Sequence, residues 1–184
     1  MKRTNNLRQL IFTGLFAAII YIGIWMLRIP LPAIVGRPFI HFGNTLMVLA
    51  ILFLGGAYGF VASAIGLGGF DVLNGYAATS WLTVLECLVM AIVVSSLFKA
   101  FKGSTRKLDA KALITISVTA GITKIITSYL VSIVEAMMVG TSFHVAIIAS
   151  FMSLTSAGIN AVSTAVVVPI LYFALAPAFK RLNR

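Results

Sequence analysis

The chain is poor in the residues on which soluble enzymes rely. Of its 184 residues only 4 are acidic, 2 are histidine and 1 is cysteine. Charged residues make up 10% of the sequence, where an ordinary soluble domain carries about 25%. The lone Cys87 lies inside an apolar run, which excludes a disulfide framework and a cysteine metal site. No G-x-x-x-x-G-K-[ST] segment occurs, and Gly103-Ser104-Thr105 lacks the lysine and flanking glycine of a nucleotide-binding loop. H-E-x-x-H and G-x-S-x-G are missing too. These absences argue against an enzyme, against a metal or cofactor, and against an energy source within the chain.

What the chain has instead is apolar sequence, 60% of it, and positive charge, +10 net. The positions of the charges decide what they do. Lys2, Arg3 and Arg8 flank the first apolar stretch; Lys99, Lys102, Arg106, Lys107 and Lys111 crowd one gap; Lys180, Arg181 and Arg184 close the chain. Eleven of fourteen basic residues thus fall in gaps on one side of a zigzag, which the positive-inside rule places in the cytoplasm. Such clusters meet anionic lipid headgroups, and no soluble basic face remains for nucleic acid. The reading is a multi-pass protein of a bacterial inner membrane, with both termini cytoplasmic. The first stretch exceeds a signal-peptide core and no A-x-A-like site follows it, so a retained helix is expected.

The sequence predicts an all-α bundle of six transmembrane helices, a single substrate-binding domain over 1–184. The spans are 7–27, 39–54, 57–70, 80–98, 112–139 and about 155–179, with a short interfacial helix before the last. Residues 28–41 hold Pro30, Pro32 and Pro38 with Gly36 and two arginines; proline stops the first helix and leaves an ordered outer loop. Spans two and three are short against the ~20 residues of a full crossing. Irregular backbone at membrane depth is tolerated where it lines a wet cavity. Loops 28–41 and 71–79 are therefore expected to fold as lids over an outward-facing pocket, or else to lie on the membrane surface.

Charges within spans cost about 2.5–3.5 kcal/mol each on insertion scales, so each needs a reason. Glu86 falls in the fourth span; Lys124, Thr127 or Ser128, Val131 and Glu135 share one face of the fifth. Ser153, Ser156, Asn160 and Ser163 or Thr164 form a second stripe at helical spacing. Two readings stay open: Glu86 and Lys124 as a mutual ion pair or as ligand contacts, and the hydroxyls as helix packing or as ligand contacts. His41 and Asn44 open the second span and can point into the same space. Glu135 can equally be interfacial. Turn chemistry explains Asp71, Asn74 and Gly75. Trp25, Phe39, Phe42, Tyr76, Trp81 and Phe143 fit an aromatic belt, with one or two free to stack on a flat ligand. Thr13, Gly14, Ala17 and Ala18 give overlapping small-xxx-small pairs in the first helix, suited to close packing or to a membrane partner.

The run HFGNTLMVLAILFLGGAYGFVASAIGLGGFDVLNGY, with its H-x-G-N start, Gly-rich junction, G-x-x-x-S-x-x-G helix and D-x-x-x-G-Y ending, followed by Glu86, resembles the substrate-binding S components of energy-coupling factor (ECF) vitamin transporters. The resemblance implies a vitamin-capturing subunit working with a membrane T component and two ATP-binding subunits. It places the ligand near the outer surface, under the loop joining helices one and two. The branch it is most similar to takes hydroxymethylpyrimidine or vitamin B6, with riboflavin and pantothenate members nearby. The substrate-binding set expected on this reading is His41, Asn44, Trp81, Glu86, Lys124, Ser128, Glu135 and Asn160. The first-helix A-x-x-x-A docking motif appears only as Gly14-x-x-x-Ala18 or Thr13-x-x-x-Ala17. A self-sufficient secondary transporter would show internal repeats and coupling-ion sites, and none is evident. An intramembrane enzyme is a further alternative.

Overall fold

The computed structural model describes residues 2–31, 39–104 and 108–182. The middle of the proline-rich loop, 32–38, and the basic residues Arg106, Lys107 and Arg184 lie outside the described residues. The chain runs through α1 (Lys2–Leu27), β1 (Ile29–Pro30), β2 (Phe39–Ile40), α2 (Gly43–Leu54), α3 (Gly56–Leu73), α4 (Ser80–Ser104), α5 (Ala110–Met138), α6 (Phe143–Ser150) and α7 (Ser153–Leu182). The helices α1, α3, α4, α5 and α7 are long and apolar enough to cross a membrane.

Helix α1 stops where Pro30 approaches, and the chain turns extended. Ile29 pairs with Ile40 and Pro30 with Phe39 in a two-residue antiparallel ladder, so the proline-rich loop leaves and returns as a hairpin. This ladder marks one end of the bundle, which we call the hairpin end. The first turns of α1, the end of α4, the start of α5 and the end of α7 lie at the other.

The helix α2 differs from the rest. It has 12 residues, and its first turn and most of its length are buried, from Gly43 to Leu52. At 1.5 Å per residue it is about 18 Å long, against about 30 Å of hydrocarbon. Surrounded by α1, α3, α4 and α7, it is a core helix that stops short of the hairpin end. Residues 39–42, expected to belong to the second span, instead form β2 and the approach to α2. Gly55, at φ +86°, is all that separates α2 from α3, and the two helices pack back to back.

Their contact leaves no room for side chains. A Cβ on Gly59 would stand 2.5 Å from the Ile51 Cα. Gly59→Ala should therefore destabilise the chain by roughly 1–3 kcal/mol, as overpacking usually does. A melting temperature in detergent equal to that of the native chain would refute this contact. Gly66 meets the Ala17 carbonyl at 2.8 Å and Gly121 meets Ala161 at 3.1 Å in the same sense.

The stripes of small residues on α1 separate. Thr13 and Ala17 are buried against the bundle, and the Thr13 hydroxyl donates to the Gln9 carbonyl. Gly14 and Ala18 face outward, with nothing near Gly14. Helix α3 is not regular: Ala64–Gly68 is a π-helical turn, after which the helix continues to Leu73. The expected loop 71–79 thus begins three residues later, and Asp71 is helical.

Candidate functional site

Because α2 ends early, the long helices around it enclose a cavity of about 620 Å³ at the hairpin end. Asn44 and Met47 from the first turns of α2 form its floor, and α3, α4, α5 and α7 supply the walls. Phe39 of β2 lies over it.

On one wall Lys124 of α5 reaches Glu86 of α4, Nζ to Oε2, at 2.6 Å. The Ser128 hydroxyl, one turn beyond Lys124, donates to Glu86 Oε1 at 3.4 Å. Both charged side chains are largely buried, yet both line the cavity. The mutual ion pair, one of the two readings open from the sequence, is present, and it faces the space where a ligand would sit. Val131, Ser132 and Glu135 continue the same α5 face along the cavity, as their spacing predicts.

Beside Glu86 on this wall stands Asp71, a residue whose surroundings in the sequence look like a turn. Helix α3 carries it into the cavity wall, where its carboxylate accepts a hydrogen bond from the Thr83 hydroxyl of α4. Thr83, Glu86 and Cys87 occupy one face of α4 and all line the cavity. That i, i+3, i+4 relation was the available signal for Thr83. Trp81 falls on the other side of α4: it is 51% exposed and is not among the lining residues.

Asn160 of α7 fastens the hairpin. Its Oδ1 accepts from the His41 backbone N–H at 3.0 Å and its Nδ2 donates to the Phe39 carbonyl at 3.1 Å. Ser153 and Ser156, on the same stripe, also reach the cavity, but their hydroxyls donate to backbone carbonyls of their own segment. Thr164 bonds Thr45 of α2. Asn44 is different: its Nδ2 is buried and has no partner among the described residues. Phe39, Phe70 and Tyr76 contribute aromatic faces, with centroids 5.9–6.4 Å apart.

His41 sits in the approach to α2. Its Nδ1 accepts from the Gly43 N–H at 3.0 Å, so the neutral tautomer with its proton on Nε2 is the one that fits. Burial first, then the Lys124 charge, push its pKa down from 6.5 to about 3. Below pH 6.5 the unfolded chain takes up a proton that the folded chain refuses until about pH 3, so stability should fall as pH drops through that window. Melting curves in detergent at a series of pH values would show the slope. His41→Asn keeps an acceptor for the Gly43 N–H and should flatten it; an unchanged slope would exclude His41 as its source.

The structure therefore brings His41, Asn44, Glu86, Lys124, Ser128, Glu135 and Asn160 to one cavity, adds Asp71 and Thr83, and leaves Trp81 outside. Among the described residues there is no cluster of His, Cys, Asp or Glu suited to a metal ion.

No curated protein matches the sequence. A solved structure of the S component of a bacterial ECF transporter superposes with a TM-score of 0.66 at 19% identity, over 95% of this chain and 99% of that one. A likeness that remote establishes the fold. The family model for the ECF-type riboflavin transporter, S component, matches residues 4–177, nearly the whole chain. The long apolar helices and the walled cavity are thus those of a membrane transport subunit, and the chain belongs to the family of ECF-type riboflavin transporter S components.

Proposed function

We propose that this chain is the substrate-capture subunit of an ATP-driven ECF importer and that the cavity at the hairpin end is its vitamin site, open to the cell exterior. The observation that carries this reading is the cavity itself: about 620 Å³, within the ~300–1,000 Å³ usual for small-molecule sites, and floored by an asparagine whose Nδ2 has no partner among the described residues. Basic residues support the orientation. Lys99, Lys111 and Lys180 sit at the end away from the hairpin, where the positive-inside rule expects cytoplasm. Energy would come from the T component and two ATP-binding subunits, since the chain has no nucleotide loop of its own. The outward Gly14–Ala18 face of α1 is the better candidate for docking the T component, because Thr13 and Ala17 are already used within the bundle.

For the ligand we favour a small heteroaromatic vitamin with hydroxymethyl groups, of the hydroxymethylpyrimidine or pyridoxine type. Phe39, Phe70 and Tyr76 suit a flat ring, and Asn44 with the Ser and Thr hydroxyls suits its substituents. Riboflavin is the second reading, favoured by the description of the matching family.

Mass spectrometry of the small molecule that co-purifies with the chain separates the two. Binding should be stoichiometric without ATP, and uptake should need the partner subunits. Full uptake by this chain alone would point instead to a self-sufficient transporter.

A further inference from the structure

The charge of the cavity narrows the ligand further. The whole chain has four acidic residues, Asp71, Glu86, Asp109 and Glu135. Asp109 caps α5 at the far end, accepting from the Ala112 N–H. The other three all line the cavity.

Among the described residues only one cation lines it with them. Lys124 is committed to Glu86 at 2.6 Å. Arg28 lies over the Phe70 ring at 5.4 Å and is not part of the cavity wall. His41 offers no charge, since its Nδ1 is occupied by the Gly43 N–H. Asp71 and Glu135 have threonine hydroxyls, Thr83 and Thr79, beside them and feel the Lys124 charge through space, with no ion pair of their own among the described residues. They are close enough to repel each other and Glu86.

Isolated carboxylates in a bilayer-embedded wall are costly, and an ion pair at this depth needs both signs. A second, independent group points into the same space. Asn44 is 2% exposed and its Nδ2 lacks an acceptor among the described residues. The described residues thus give the cavity excess negative charge at the α3–α5 side and an unused donor at its floor.

We infer that the ligand is cationic: a heteroaromatic compound with a protonated amino group held by Asp71 and Glu135, and a ring or hydroxyl acceptor taken by the Asn44 amide. This rests on the vitamin-capture reading and narrows its substrate class to amines.

Pyridoxamine and pyridoxine make a matched pair of probes, with an aminomethyl group in one where the other has a hydroxymethyl group. Equilibrium binding of each to the full chain in nanodiscs at neutral pH, where an alkylamine is protonated, tests the inference. Pyridoxamine should bind at least about tenfold more tightly, about 1.4 kcal/mol. Asp71→Asn and Glu135→Gln should each bring that ratio toward one, whereas Lys180→Gln, at the far end, should leave it unchanged. The ratio for the native chain decides even if a variant fails to fold. Equal binding, or a preference for the alcohol, overturns the amine assignment and leaves vitamin capture standing. Binding of neither compound overturns the amine assignment and the pyridoxine-type reading with it, and leaves riboflavin as the ligand of the same site.

Discussion

Lys124→Met should cost the chain roughly 3–5 kcal/mol, the usual penalty for stranding one partner of a buried ion pair, and should remove ligand binding. The cause is local. With the ammonium gone, Glu86 keeps only the 3.4 Å contact from Ser128, in a wall with 9% of that side chain exposed. Glu86→Leu combined with Lys124→Met should restore much of the melting temperature, because two apolar groups of similar volume often replace a buried pair at little cost. Binding should stay lost in the double variant, since the stretch of wall beside Asp71 and Glu135 would have become apolar and would no longer solvate a polar ligand. Melting and binding measured on the same preparations separate the two effects. A double variant that binds like the native chain would show that the pair serves the fold alone.

The second large effect is expected at Asn160. Asn160→Leu has nearly the same shape but strands the His41 N–H and the Phe39 carbonyl. Losing the partner of a buried polar group costs about 1–3 kcal/mol, so the two together should amount to roughly 2–6 kcal/mol. Most of that loss falls on the hairpin rather than on the bundle, because β2 is held to α7 there. Amide exchange at His41 should accelerate, and ligand release should quicken by about ten- to a hundredfold for each 1.4–2.8 kcal/mol of loosening. The bundle's melting temperature should change less. Unaltered exchange at His41 would mean that Asn160 is not the latch.

Helical spacing made much of this site legible. Lys124, Ser128, Val131 and Glu135 were placed on one face by counting alone, and they do share a wall. Ser153, Ser156 and Asn160 were aligned the same way. That a short helix precedes the last span was also readable, because 143–178 is too long for one crossing, and α6 is that helix.

What failed was reading across elements. Asp71 looked like a turn residue beside Asn74 and Gly75, since turn composition does not reveal that the helix before it runs three residues longer. Trp81 was grouped with the cavity on its aromatic character, but five residues of helix put it about 140° around α4 from Glu86. The second stretch counted as a span on hydropathy, while its first four residues went to the hairpin and its approach because the ladder with β1 satisfies their backbone. The Asn160 latch was beyond sequence reading altogether. Its partners are backbone atoms about 120 positions away, and no side-chain pattern encodes them.

The widened turn at Ala64–Gly68 gives α3 a spare residue. A turn of this kind holds one residue more than a regular one, so removing any single residue there would let the helix tighten to a regular turn. Phe70 and Asp71 would still face the cavity while Gly59, on the near side, kept its seat against Ile51. A deletion in a regular stretch of helix instead rotates everything beyond it by about 100°. Within α3 the widened turn is thus the place that can lose a codon and still keep the acid in the site.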